Sequence, residues 1–464
     1  MTCLHTPHRH PCLLHPLGGL MVALALGGCS SDDASPALDD ASTSSMDGGS
    51  SSDTSTTSDE ASSSGATSLG DGSDGSGSSA GEAPPALPPE VEAELHDQIE
   101  QIRLDAGLPG LAVGFTYGPH VVWTGGFGER EVGTGDAVQR TTPFRVASVS
   151  KTVVGVALAR AAELDLLGPQ GLDAPVELGV VLDNPHLEGE TITYRHLAQH
   201  SAGLDDTELY ECAYVSEDGG AYFEPEDRAD CPETPTPALG DFLAAYLEPG
   251  GPLHSQDIFA SGPSGEPGAR YRYSNIGAAV AASAIDHHSD GFETLCQQEI
   301  FEPLSMSNTA WHRSELSDPE AVAMPHAWVD GSYASFEHYA LATYPDGGLY
   351  ASAQDMARFL ATMTAGGGAF EGVRILDAQS AAALIDVQEV VSEDIVEGQG
   401  LFWEEFAGGL IGHTGGDPGV ATAIAYDPGS NVGGVVLINA SGPNTDIVML
   451  QVLGALRGVA AEHL

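Results

Sequence analysis

Lysine is almost absent from this chain. Of its 464 residues only Lys151 is a lysine, and the other fourteen basic residues are Arg, set against 67 Asp and Glu. The resulting formal net charge of −52 excludes nucleic acid and an anionic membrane surface as partners, because like charge repels both. Cysteine is also sparse, with six residues at positions 3, 12, 29, 212, 231 and 296. No Cys/His spacing among them suits a zinc site. Aromatic residues make up 6%. The longest apolar run, Leu13 to Leu26, is broken by Pro16, Gly18 and Gly19 and is too short for a stable membrane span.

What is present divides the chain in three. Residues 1–28 read as an export signal, with Arg9 before the apolar run. The run ends Leu26-Gly27-Gly28-Cys29, which resembles a bacterial lipobox; the resemblance makes Cys29 the lipidated first residue of an exported lipoprotein. It would sit on the periplasmic side of the inner or outer membrane, or on the cell surface. A plain signal peptide cut nearby is the alternative. Residues 29–85 are mostly Ser, Thr, Gly, Asp and Ala, with almost nothing to bury, and read as a disordered acidic tether. Residues 86–464 carry the periodic patterns of a folded domain. The membrane is thus expected as a partner through the lipid alone, and nothing in the sequence speaks to oligomeric state.

Within the folded part, Val91, Leu95, Ile99 and Ile102 share a helical face. Leu111–Tyr117 and His120–Phe127 flank Gly118-Pro119 as a hairpin. Short helices are expected at Thr193–Gln199 and Ala238–Tyr246, the second inside a polar, Gly/Pro-rich excursion over 205–262. Further helices are expected at Asn275–His287, Phe292–Phe301, Gln354–Met363 and Ala378–Ile385. Strands then return at Gly409–His413, Val420–Tyr426 and Val432–Asn439, before a last helix from Asn444 to Ala461. Strands at both ends with helices between predict an α/β (α+β) fold, its sheet built from the two termini beside a helical subdomain. In an oxidising compartment Cys212 and Cys231 could close a loop worth roughly 3 kcal/mol, or remain as two thiols; Cys296, on an expected helix, reads as core.

Three clusters carry chemistry. From Ser148 to Leu164 the residues are small or apolar, so a buried helix is expected to begin at or just before Ser148. That puts Lys151 one turn from the Ser148 hydroxyl. A serine hydroxyl needs a base beside it, and a desolvated Lys can serve where Arg, which keeps its proton, cannot. Ser three residues before a Lys arises by chance roughly one time in ten in so Ser-rich a chain. A sequence that writes every other cation as Arg and keeps its one Lys on an apolar helix argues against chance. The second cluster is Tyr273-Ser274-Asn275: a phenol near a cation can move protons, and an amide can orient a carbonyl. The third is His413-Thr414-Gly415-Gly416, where Gly lets a substrate backbone lie close to a strand.

In this order the clusters resemble penicillin-recognising serine hydrolases, and within them the class C β-lactamase-related family of β-lactamases, D,D-carboxypeptidases, D-aminopeptidases and serine esterases. His200-Ser201-Ala202-Gly203-Leu204 and Asp346-Gly347-Gly348-Leu349 reinforce the resemblance. It implies a β-lactamase/transpeptidase-like fold, an antiparallel sheet flanked by helices with the site between it and the helical subdomain. It implies Ser148 as the acylated nucleophile, Lys151 as its proton acceptor and Tyr273 as the proton shuttle. It gives Asn275, His413, Thr414 and Gly415 the substrate, and the backbone N–H groups of Ser148 and Gly416 the oxyanion hole. No cofactor or metal is implied. The family's β-lactamases begin the third triplet with Lys; here His413 is mostly neutral at pH 7, and Gly416 replaces a hydroxyl residue. Arg270 or Arg272 could supply a cation from another side. These departures favour an esterase or peptidase acting on small-molecule or peptide substrates, including D-amino-acid or peptidoglycan-derived ones. A true β-lactamase or D,D-carboxypeptidase is the alternative. A non-catalytic penicillin-binding sensor or scaffold is a third reading, which the retention of Ser148, Lys151 and Tyr273 together opposes.

Overall fold

The computed structural model describes residues 85–464 except 188, 224–229, 365–366 and 390–395. Cys29, the export segment and nearly all of the tether lie outside the described residues. The chain enters through helix α1 (Pro89–Ala106), with Pro89 at its first position and Gly107, at φ 68°, ending it. Gly is suited there because the left-handed cap carries no Cβ penalty.

One antiparallel sheet organises the molecule. Counting only its own strands in chain order, these are β1 (Gly110–Tyr117), β2 (His120–Gly128), β3 (Gln388–Glu389), β4 (Val396–Gln399), β5 (Glu404–Phe406), β6 (Leu410–Asp417), β7 (Val420–Asp427) and β8 (Val432–Ile438). Their order across the sheet is β3-β4-β5-β6-β7-β8-β1-β2. The N-terminal hairpin therefore docks on the C-terminal meander, β1 pairing β8 with Leu111 opposite Ile438, as the strand pattern at the two ends predicts. Alternation decides the faces. Leu111, Val113 and Phe115 join Val436 and Ile438 under α1 and the terminal helix α9 (Thr445–His463), while Ala112, Val435 and Leu437 face the other core.

That other core belongs to the helical part. Helix α2 (Ser150–Glu163) is buried on every side along most of its length, as a helix apolar all round must be. Against it lie α5 (Asn275–His288), α6 (Phe292–Cys296) and α8 (Ala378–Leu384); α3 (Tyr194–Ala198), α4 (Leu239–Leu247) and α7 (Ala353–Thr364) are further helices among the described residues. Cys296 is buried and free.

Three details differ from the sequence expectation. Ser148 lies not in α2 but in the 3-10 turn Ala147–Val149 that leads into it. The expected helix Phe292–Phe301 changes to a π-helical turn at Gln297. The third triplet does not end a strand; β6 runs through it to Asp417. The excursion is more than a polar loop. Tyr214–Ser216 pairs with Tyr339–Leu341, Cys212 is bonded to Cys231, and Phe242, Leu243, Tyr246 and Leu247 of α4 are buried.

Candidate active site

Between the sheet and the helices the three clusters meet. Ala147, next to Ser148, takes a positive φ of 49°, a conformation L residues avoid and that the surrounding structure must hold. Ser150 helps hold it: its hydroxyl donates to Ala147 O at 2.6 Å and receives Leu349 N at 3.2 Å. The turn leaves Ser148 half-buried. Lys151, fully buried, donates to Ser148 Oγ at 3.1 Å, to Asn275 Oδ1 at 2.7 Å and to the Asp346 carbonyl at 2.6 Å. Three donors meet three acceptors. Burial lowers the Lys151 pKa, while the carboxylates of Asp346, Asp206, Asp417 and Glu404 oppose that shift.

Tyr273 and Asn275 arrive together because Asp206 fixes the start of α5. Its carboxylate accepts from Ser274 Oγ, Asn275 N and Ile276 N at 3.1, 2.8 and 3.1 Å, satisfying orphan N–H groups of the helix end. Ser274 caps Gly277 N itself at 3.0 Å. Next door, Arg272 is held by both oxygens of Asp205 at 2.7 and 2.8 Å. The Tyr273 phenol reaches Ser148, and burial pushes its pKa well above the ordinary value, so the resting group is a neutral phenol rather than a phenolate. Lys151 Nζ sits 5.0 Å from its ring centre.

Beneath Tyr273 lie two imidazoles. His200, at φ 51°, stacks its ring 4.6 Å from that of Tyr273 and accepts Ser274 N at 3.1 Å through Nδ1. His413 on β6 is 6.1 Å away, ring to ring. Burial lowers the pKa of both, His200 the further. The strand passes across the nucleophile turn: a Cβ on Gly415 would come 2.3 Å from Thr422 Oγ1, 2.7 Å from Val146 O and 3.1 Å from Ala147 Cβ. Only glycine fits. Thr414 is half-buried and Gly416 exposed, and residues 413–417 pair with β7 alone, β5 reaching only to Gly412. Among the described residues no strand pairs with their other edge.

Several residues of the site are assigned no role from the sequence. Asp346 is buried, pushed up to about 7 by its burial, and both its oxygens accept from Tyr210 at 3.0 Å. Asp417 accepts from Tyr214 at 2.9 Å, and burial raises its pKa. Tyr210 and Tyr214 flank Cys212, so the disulfide ties the excursion to the site. Glu404 accepts from Tyr271 at 3.1 Å. His200 and Asp346 stand in segments that strengthen the family resemblance, which is the one signal that could have found them; Asp206, Tyr210, Tyr214, Glu404 and Asp417 offered none.

Comparisons with known proteins bear on the fold and the family. Over 374 residues the chain is 23% identical to the D-alanyl-D-alanine-carboxypeptidase/endopeptidase AmpH of Escherichia coli K12, covering 77% of this chain and 87% of that one. It is 25% identical over 256 residues to the human mitochondrial serine beta-lactamase-like protein LACTB, covering 47% and 46%; the match thus spans about half of that relative's length. The penicillin-binding protein homologue from Pyrococcus abyssi superposes with a TM-score of 0.63 at 23% identity, covering 79% of this chain and 77% of the other. The beta-lactamase family model matches residues 95–456, the greater part of the chain and all three clusters, and the chain belongs to the beta-lactamase family.

Proposed function

We propose that the protein is a serine hydrolase working through an acyl-enzyme on Ser148, and that it takes esters, or peptides whose carboxylate is not tightly read, in preference to β-lactams. The observation that carries this reading is Lys151 Nζ, fully buried and 3.1 Å from Ser148 Oγ. Desolvation favours the neutral amine; once Nζ has lost one proton its contact with Ser148 reverses, Oγ–H donating to the lone pair, and Nζ can accept the Ser148 proton as Oγ bonds the acyl carbon. Backbone N–H groups of Ser148 and Gly416 would hold the oxyanion. Tyr273, protonated at rest and in reach of Ser148, would pass a proton to the leaving group and then draw one from the hydrolytic water. With Asn275 Oδ1 turned to Lys151, the amide nitrogen is left for the substrate carbonyl, and Thr414 and Gly415 line the site on β6.

The preference for esters rests on the cations around the site. Arg145 is buried and turned to the carbonyls of Gly347 and Tyr339 and the Tyr350 hydroxyl. Arg272 is engaged by Asp205, and His413 is held neutral by burial. A charge-assisted hydrogen bond to a carboxylate is worth about 1.5–3 kcal/mol, so its absence changes selectivity tenfold or more. The coverage of AmpH favours a second reading, a D-alanyl-D-alanine carboxypeptidase. Labelled penicillin, a chromogenic cephalosporin and a short nitrophenyl ester, offered to one preparation with the adduct mapped by mass spectrometry, test both. Ester turnover with an adduct on Ser148 is expected; a label elsewhere sinks the assignment, and a wide preference for the cephalosporin makes the protein a β-lactamase. Lipid anchoring at Cys29 belongs to the same proposal, supported by the lipobox-like sequence. Cys29→Ser should then release active protein from membranes.

A further inference from the structure

His413 has one nitrogen committed and one idle. Its Nδ1 lies 2.6 Å from the carbonyl of Thr414, and a carbonyl only accepts, so Nδ1 carries the proton. In the neutral ring Nε2 is then a bare lone pair. It is buried without a hydrogen-bond partner, and what it faces, at 3.9 Å, is Glu404 Oε1. Two acceptors stand opposite each other in a dry place. Glu404 is itself buried, and the same Oε1 accepts from the Tyr271 hydroxyl.

A buried acceptor aimed at a buried carboxylate is a poor arrangement for the neutral ring and a good one for a protonated ring. A proton at Nε2 would convert the contact into an ion pair while Nδ1 kept its bond to Thr414. It would also place a positive charge on β6, on the strand that crosses the nucleophile turn. We propose that His413 and Glu404 form a proton-loaded anchor, His413 taking a proton at Nε2 when a carboxylate-bearing substrate enters and Glu404 stabilising it there. Glu404 is thus a positioning and specificity-determining residue. The anchor rests on the acyl-enzyme reading above and extends it: one site serves neutral esters at any working pH and carboxylate-bearing substrates increasingly as pH falls.

The charged and titratable groups around His413 are few. Lys151 of α2 opposes protonation and Glu404 of β5 favours it, with the Thr414 carbonyl. Tyr273, before α5, presents its ring and holds its proton. His200 is also near, but its Nδ1 already accepts Ser274 N–H, and burial keeps that ring neutral far below the working range. Lys151 and Tyr273 act on every substrate, so a ratio of two substrates cancels them.

The test uses the full chain and a pair of thioesters, benzoylglycyl-thioglycolate and the same compound with its leaving-group carboxylate capped as an amide. The ratio of kcat/KM, charged over capped, should rise as pH falls from 8 to 6, by up to about tenfold per pH unit while His413 is mostly unprotonated. Glu404→Gln should move that rise to lower pH, and His413→Lys should make the ratio high and independent of pH. In the parent chain, 15N NMR of labelled histidine should show Nε2 gaining a proton when the charged compound binds, a readout that needs no variant. Acylation of Ser148 by both compounds with a flat ratio overturns the anchor alone. The absence of any Ser148 adduct overturns the acyl-enzyme reading and the anchor with it. An unchanged onset in a folded Glu404→Gln removes Glu404 from the assignment.

Discussion

Lys151 and His413 stand on opposite walls of one site, and burial lowers the pKa of both. Their partners differ. All three Lys151 donors are taken, by Ser148, Asn275 and Asp346. His413 has a backbone carbonyl on one nitrogen and, on the other, no hydrogen bond but the Glu404 carboxylate 3.9 Å away. The saturated group is fixed in place and can exchange a proton only along bonds it already makes. The unsaturated one is free to change state with what enters. On the proposed mechanism, the difference separates a wall that performs the reaction from a wall that selects for it.

The largest effect should come from breaking the first wall. Ser148→Ala is expected to lower kcat/KM by about 10⁴-fold or more, with unchanged circular dichroism. Lys151→Arg should lose about 10²–10⁴-fold, because the guanidinium keeps its proton and its planar fork does not match the three acceptors. Near-normal rates in the Arg variant would reduce Lys151 to a packing residue and erase the contrast between the walls.

The excursion comes next. Tyr210 and Tyr214 hold two carboxylates of the site, Asp346 and Asp417, and the Cys212–Cys231 bond secures the segment that presents them. Cys231→Ser should lower stability in denaturant by roughly 3 kcal/mol. Thiol counting on unreduced, denatured protein should find neither cysteine reactive; two free thiols there would refute the tie. Smaller again is Gly415→Ala. The added Cβ meets backbone at Val146 and the Thr422 hydroxyl, so β6 must move off the nucleophile turn. That should cost about 1–3 kcal/mol and lower kcat about 10–100-fold, read on protein shown to be folded. An unaffected kcat would mean that the two walls need not touch.

What the sequence could reveal follows the range of the forces involved. The hairpin at Gly118-Pro119, the buried α2 and the terminal strands are set by local periodicity, and all appear close to where the pattern puts them, with shifted ends at α2 and β6. Ser148 and Lys151 are three residues apart, so one turn of chain decides their contact. The Lys151–Asn275 and Lys151–Asp346 bonds span more than a hundred residues, and only the family resemblance brings Tyr273, Asn275 and His413 to the same place. Asp206, Tyr210 and Glu404 were illegible because an acid in a chain with 67 of them carries no mark of being buried. The polar composition of the excursion likewise concealed that its tyrosines point inward.

The smallest effect is a shift rather than a loss, and it concerns Asp346. Its carboxyl is buried, takes both bonds from Tyr210, and has its pKa pushed up to about 7 by desolvation against the pull of Lys151. Lys151 in turn is held up by that charge. Asn in its place would keep an oxygen for Tyr210 and remove the anion, so Lys151 should release its proton more easily. Because Lys151 must be neutral to act as base, the limb along which kcat/KM rises with pH should move to lower pH in Asp346→Asn, by on the order of one unit. Stability supplies an independent check. A carboxyl whose folded pKa lies above its unfolded value contributes most below the unfolded value, near pH 4. It loses that contribution as pH rises through about 7. The Asn variant lacks this decline, so its melting temperature should gain on the parent's between pH 4 and 8. A limb that stays in place while the melting curves diverge would mean that Asp346 is buried beside Lys151 without tuning it, and the fixed character of the first wall would then rest on Ser148, Asn275 and the Asp346 carbonyl alone.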